Sequence, residues 1–202
     1  MKLYYSPGAC SLAPHIVAEE LGAKLDYVKV DGTAKKTQDG EDFWKINPKG
    51  YVPALGLDDG GVLTEGPVIS QYLADQKPQA GLVPAAGTLE RYRVQEMLGY
   101  INSEIHKTYS PLFGKDVDPK LREDRLAYLA KRYAVIEQKL DGRDYLFGDR
   151  FTIADAYLFV VTNWAHFVKF DLAPFPKLQA FQKRVAARPA VQAAMKAEGL
   201  LK

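Results

Sequence analysis

Between Lys77 and Gly87 the chain reads Lys-Pro-Gln-Ala-Gly-Leu-Val-Pro-Ala-Ala-Gly, and the hydrophobic period changes across that segment. Pro and Gly at this density interrupt helices and strands alike, so the segment is a connector and its two flanks fold by different rules. The reading gives one domain over 1–77, a linker over 78–87 and a second domain over 88–202.

Ahead of the connector, strand and helix signals alternate. Lys2 to Tyr5 is a short apolar strand, Ser11 to Leu21 a helix with Leu12, Ile16, Val17 and Leu21 on one face, and Gly22 its stop. Leu25 to Val30 alternates apolar and polar side chains, which completes a βαβ unit with parallel strands. A short helix over Asp42 to Ile46 precedes the Asn47-Pro48-Lys49-Gly50 turn. Ala54 to Leu57 and Val62 to Thr64 then flank Asp58-Asp59-Gly60-Gly61, a hairpin signal. Pro67 suits the start of a helix that runs to Asp75, with Gly66 as its cap. The order βαβ-α-ββα defines an α/β module with a mixed sheet.

Beyond Thr88 the strand signals stop. Helical spacing runs through Tyr92, Met97, Leu98, Ile101 and Ile105, then through Leu126, Leu129, Tyr133, Ile136 and Leu140. Thr152 followed three residues on by Asp155 is a capping-box pattern, and the apolar run from Ala156 to Ala165 predicts a helix buried on most sides. Two short helices broken at Arg188-Pro189 finish an all-α domain.

Composition narrows the function. Residues 1–80 carry 8 Lys and no Arg against 11 acidic residues, and the remainder 19 basic against 14 acidic, so the halves hold −3 and +5 of a net +2. Nucleic-acid sites need clustered positive charge, and this excess is spread over helices. No apolar run approaches the roughly 18 residues that span a bilayer, the opening residues form a strand and no signal peptide, and one cysteine excludes an internal disulfide. The expectation is a cytoplasmic protein with no membrane, nucleic-acid or metal partner.

That cysteine, Cys10, stands in Ser6-Pro7-Gly8-Ala9-Cys10-Ser11 at the mouth of the first helix. A helix N-terminus favours the thiolate. Ala13 occupies the place where a resolving cysteine would stand, so the sulfur partner must come from outside, and glutathione is the usual external thiol.

Pro7-Gly8-Ala9-Cys10-Ser11, Asn47-Pro48-Lys49-Gly50-Tyr51-Val52-Pro53-Ala54-Leu55, Thr64-Glu65-Gly66, Glu104-Ile105-His106-Lys107 and Phe151 to Ala156 occur in this order over both halves. With them the chain resembles a cytosolic glutathione S-transferase, and more narrowly the bacterial beta class. The resemblance implies a thioredoxin-like N-terminal domain, an all-helical C-terminal domain and a homodimer. It implies a cis Val52-Pro53 bond that turns the Val52 backbone toward an extended peptide ligand, the cysteinyl part of glutathione. It further implies that Lys35 meets the glycyl carboxylate, that Glu65 and the Gly66 helix start hold the γ-glutamyl end, and that Ala9 and Tyr51 line the cradle. Ser103 and Glu104 would reach glutathione across the dimer, and His106 would join Cys10 as the catalytic pair.

Two positions depart from the family pattern: Gly66, where a serine is common, and Gly99, where an asparagine is common. The expected activity is conjugation of glutathione, as co-substrate, to a hydrophobic electrophile bound near Phe113, Tyr157, Trp164 and Phe167, with thiol transfer through Cys10 as an added capacity. A glutathione-dependent dehalogenase or isomerase, and a non-catalytic binding module, are the alternatives.

Overall fold

A computed structural model describes residues 1–201, which fall into two compact units: Met1–Val83 together with the segment from Ala187 onward, and Pro84–Ala186.

The first unit is built on a five-stranded sheet of order β3-β2-β1-β4-β5. Its strands are β1 (Lys2–Tyr5), β2 (Asp26–Asp31), β3 (Lys36–Thr37), β4 (Ala54–Gly56) and β5 (Val62–Thr64). β1 pairs with β2 in parallel, Leu3 opposite Tyr27, and with β4 antiparallel, Leu3 opposite Leu55. This is the expected thioredoxin-like sheet with one addition. The two-residue β3, antiparallel to β2, is too short to leave a period in the sequence.

Helix α1 (Leu12–Leu21) ends at Gly22, whose φ of 59° is the left-handed conformation that a C-terminal cap requires. Short α2 (Phe43–Ile46) starts at Asp42, whose carboxylate accepts the Trp44 N–H at 3.1 Å. Tyr4, Val30, Phe43 and Ala54 form a buried cluster between these elements, with Val28, Ile46 and Val52 at its margin.

The sequence places one face of α1 in the core, yet every residue from Leu12 to Ala18 is buried. The cause is the end of the chain. α9 (Pro189–Ala197) belongs to this unit and packs on α1, which also packs on α3 (Gly66–Asp75). The Arg188 guanidinium grips the Glu20 carboxylate with two bonds of 2.6 and 2.9 Å. Glu198, its side chain fully buried, accepts the Gly8 N–H at 2.9 Å and meets His15 Nδ1 at 2.9 Å. The last residues therefore side with the first unit, whereas the sequence reading had given all of 88–202 to the helical domain. Nothing in the local pattern of α9 names its partner, because an amphipathic helix can bury its face on either unit.

The second unit comprises α4 (Leu89–Tyr100), a π-helical turn over Ile101–His106, α5 (Lys107–Tyr109), a 3₁₀ turn over Ser110–Phe113, α6 (Pro119–Lys139), α7 (Ile153–Asn163) and α8 (Pro176–Ala186). Thr88 caps α4, accepting the Arg91 N–H at 3.2 Å. Tyr92, expected on the buried face, is 58 % exposed. The helical period that joins Val94, Leu98, Ile101 and Ile105 puts Arg91 there instead, and the buried Arg91 guanidinium donates from Nη1 to the Pro84 carbonyl at 3.0 Å.

α7 is the centre of this unit, buried from Ile153 to Thr162. At its head Asp155 accepts the Thr152 N–H at 2.8 Å, the Thr152 hydroxyl at 2.7 Å and the Leu146 N–H at 2.8 Å. Burial pushes the Asp155 carboxyl up to about 6 against the opposing pull of those donors. Among the described residues no helix is long and apolar enough to cross a membrane.

Candidate active site

In the first unit the candidate residues gather where the loop after β1, the turn before β4 and the start of α3 meet. Val52-Pro53 is a cis peptide. Cys10 Sγ donates to the Val52 carbonyl at 3.3 Å, joining residues 42 apart in sequence. Two backbone N–H groups that follow it are engaged, Leu12 on the Ala9 carbonyl at 3.0 Å and Ala13 on that of Cys10 at 3.1 Å. The helix mouth expected to favour a thiolate thus offers fewer unspent donors than its position in the sequence suggests.

Around Val52 the cradle is closed by short polar links. Lys35, at a φ of 53°, donates from Nζ to the Gly50 carbonyl at 2.9 Å and lies 5.4 Å from the centre of the exposed Tyr51 ring. Asn47 Nδ2 donates to the Tyr51 carbonyl at 2.7 Å and so fixes the strand edge that Val52 follows. Gly50 has a φ of 68°, and a Cβ there would come within 2.4 Å of the Trp44 ring, so the turn admits only glycine. Pro53 is buried, with Val52 and Ala9 partly open beside it.

At the start of α3 the capping residue is Glu65, not Gly66 as the sequence suggested. Glu65 takes φ 70° and ψ 111°, a conformation rare for a residue with a side chain, of the kind that collects at ligand sites. Its carbonyl accepts the Val68 and Ile69 N–H groups, both at 2.9 Å. Pro67 has no N–H, so the Gly66 N–H is the backbone donor that this turn presents. A Cβ on Gly66 would meet Pro53 Cγ at 3.5 Å, an ordinary contact, so no clash requires glycine here.

One participant escaped the sequence reading. Lys49 Nζ holds Glu65 Oε1 at 2.8 Å and Thr64 Oγ1 at 2.9 Å. Its signal was the Lys of Asn47-Pro48-Lys49-Gly50, which reads as turn composition alone. Both partners are more than half exposed, so the pair is a weak one.

In the second unit the π-helical turn Ile101–His106 carries Ser103, Glu104 and His106 together. A π turn inserts one residue into a helix and is most often found at functional sites. Ser103 is exposed and its hydroxyl donates to the Gly99 carbonyl at 3.0 Å. Glu104 accepts from the Tyr128 hydroxyl and forms an ion pair with the Arg132 guanidinium, whose Nε lies 3.1 Å away, while Arg132 lies 4.2 Å over the Tyr128 ring. The Glu104 carboxylate pushes the Tyr128 phenol up.

His106 Nδ1 lies 2.6 Å from the Tyr157 hydroxyl, which donates to Asn102 Oδ1 at 2.9 Å. The Trp164 ring meets the imidazole at 4.8 Å and Phe113 at 5.6 Å, both edge to face. The four aromatics proposed for the electrophile divide. Tyr157 and Trp164 are 3 % and 6 % exposed and lie in the packed interior, whereas Phe113 and Phe167 are 50 % and 65 % exposed.

The first unit thus presents a lone thiol beside a cis-proline loop, and the second a histidine in a π turn. Two family models match the chain, glutathione S-transferase N-terminal domain over residues 1–75 and glutathione S-transferase C-terminal domain over residues 100–189. It is 46 % identical to the glutathione S-transferase GstA of Escherichia coli O157:H7 over 99 % of this chain and 100 % of that protein.

A sphingomonad glutathione S-transferase solved in complex with glutathione superposes with a TM-score of 0.95 at 47 % identity, covering all of both chains. A bacterial beta-class enzyme from Sphingomonas chungbukensis does so with 0.95 at 46 %, again over both full chains. The chain belongs to the glutathione S-transferase family, within its bacterial beta class.

Proposed function

We propose that this enzyme conjugates glutathione to apolar electrophiles. The observation that carries the reading is the convergence of Lys35, the Val52 backbone, the Gly66 N–H and the Cys10 thiol on one edge of the first unit, in a chain of this family. Lys35 and the turn that opens α3 then receive the two carboxylate ends of the tripeptide, and Glu65 its ammonium group. The Val52 carbonyl and N–H pair with its middle, so binding displaces the Cys10 S–H from that carbonyl. The relative solved with glutathione supports the same co-substrate here.

Catalysis then consists of ionising the bound thiol and holding it. The S–H bond breaks, the proton passes to His106, and the electron pair left on sulfur attacks the electrophilic carbon while the leaving group departs with its own pair. Phe113 and Phe167 offer that electrophile an apolar face. Ser103 and Glu104 complete the cradle of a partner copy in a homodimer, which light scattering of the purified protein checks. A reducing compartment such as the cytoplasm supplies the glutathione.

Thiol transfer is the second reading, favoured by the seat of the Cys10 sulfur on Val52. There the Cys10 thiolate attacks the glutathionyl sulfur of a glutathione mixed disulfide, the S–S bond breaks, the other thiol leaves with its electron pair, and Cys10 becomes disulfide-bonded to glutathione. A second glutathione releases it as glutathione disulfide. Retention on glutathione-agarose, followed by a panel of chloronitroarenes, haloalkanes and isomerisable double bonds, tests the first reading and separates it from dehalogenase and isomerase activity. Failure to bind glutathione overturns it. Full disulfide reduction by Cys10→Ala overturns the second.

A further inference from the structure

The hydroxyl of Tyr157 stands between two acceptable partners and has one proton. With Asn102 Oδ1 at 2.9 Å accepting that proton, the phenol oxygen can only accept at its 2.6 Å contact with His106 Nδ1. Nδ1 must then carry hydrogen, which leaves the lone pair of the neutral ring on Nε2. We propose that Asn102 and Tyr157 are positioning residues that fix His106 as the Nδ1–H tautomer, so that Nε2 acts as the base for the glutathione thiol.

The inference rests on the reading of His106 as that base, and it deepens it. The fold supplies the means. Asn102 and His106 lie four apart in the π-helical turn, and Tyr157 comes from the middle of α7, where it is 3 % exposed and cannot swing away. The Trp164 ring at 4.8 Å leaves the imidazole little room to flip.

When the thiol S–H breaks, its proton adds to Nε2 and its electron pair stays on sulfur. The ring becomes an imidazolium whose Nδ1–H still donates to the phenol oxygen, while the phenol keeps its proton and donates it to Asn102 Oδ1. No proton moves along the relay. Its work is to orient the ring and to place a dipole where positive charge develops. A phenol that donated to Nδ1 would instead fix Nε2–H and leave no base.

Nitrogen NMR of the full-length enzyme with labelled histidine, recorded above pH 8, reads the tautomer directly. Loss of one of the three histidine signal sets in His106→Gln assigns it. A protonated Nδ1 and a pyridine-type Nε2 support the proposal; a protonated Nε2 in the wild type overturns it.

Tyr157→Phe keeps the buried ring and should release the tautomer to a mixture and lower kcat about tenfold, with the KM for glutathione within about twofold. Asn102→Leu should do the same more weakly, and Asn102→Asp, an acceptor only, should keep the tautomer. If His106→Gln leaves conjugation intact, the underlying reading of His106 fails. If His106→Gln slows conjugation while Tyr157→Phe changes neither tautomer nor kcat, the relay alone fails.

Discussion

The two units hold their candidate residues with different materials. In the first, the candidate groups are largely main chain: the Val52 carbonyl beside the cis bond and the Gly66 N–H at the head of α3. In the second they are side chains held by other side chains, His106 by Tyr157 and Glu104 by Arg132 and Tyr128. Main-chain recognition suits a constant co-substrate, because backbone groups survive substitution. Side-chain recognition suits a partner that varies, since one substitution re-shapes it.

If this contrast is right, the second unit depends on single side chains, and in the first such dependence is confined to anchors away from the main-chain groups. The largest effect is expected at Asp155. Removing its carboxylate in Asp155→Ala leaves the Thr152 and Leu146 N–H groups buried without an acceptor, and urea unfolding should lose about 4 kcal/mol. A loss under about 1 kcal/mol would mean that α7 does not depend on its cap. The same residue sets a pH signature. With its carboxyl raised to about 6, the stability contributed by the protonated acid is fully present below about pH 4 and is lost as pH rises through 6. Asp155→Asn should flatten unfolding free energy over that interval.

Next comes Glu198→Ala, which removes the acceptor of the Gly8 N–H and the carboxylate at His15 Nδ1; a loss of about 2–3 kcal/mol is expected by thermal unfolding. It would mark Glu198 as such an anchor within the first unit, since here a single side chain matters as much as in the second. Lys35→Ala should raise the KM for glutathione about tenfold and leave kcat nearly unchanged, the pattern for a charged contact made equally to substrate and transition state. A fall in kcat instead would place Lys35 in the chemistry. The smallest effect belongs to Gly66→Ser. The added Cβ fits against Pro53 at 3.5 Å, and the hydroxyl should tighten glutathione about threefold by calorimetry. Weaker binding would show that the Gly66 position is already optimal.

The same contrast explains what was legible in the sequence. The module over β1 to α3 announced itself through turn chemistry, because Gly22, Gly50 and Pro53 stand where the backbone demands them. The capping box at Thr152 and Asp155 was equally readable, being local. What stayed hidden depends on which helix meets which. The hold of Tyr157 on His106 spans 51 residues, and that of Glu198 on Gly8 spans 190. The π-helical turn left no mark either, since one inserted residue shifts a helical period by less than the scatter of the pattern. Tyr92 was misassigned for the related reason that a buried arginine took the apolar position.

The return of α9 to α1 also orders events in time. Synthesis delivers β1 to α3 first, yet the loop bearing Cys10 lacks its Glu198 anchor until nearly two hundred residues have left the ribosome. A nascent chain stalled after α8 would carry every cradle residue and an open flank on α1, so the glutathione site should mature last in the part of the protein that is made first.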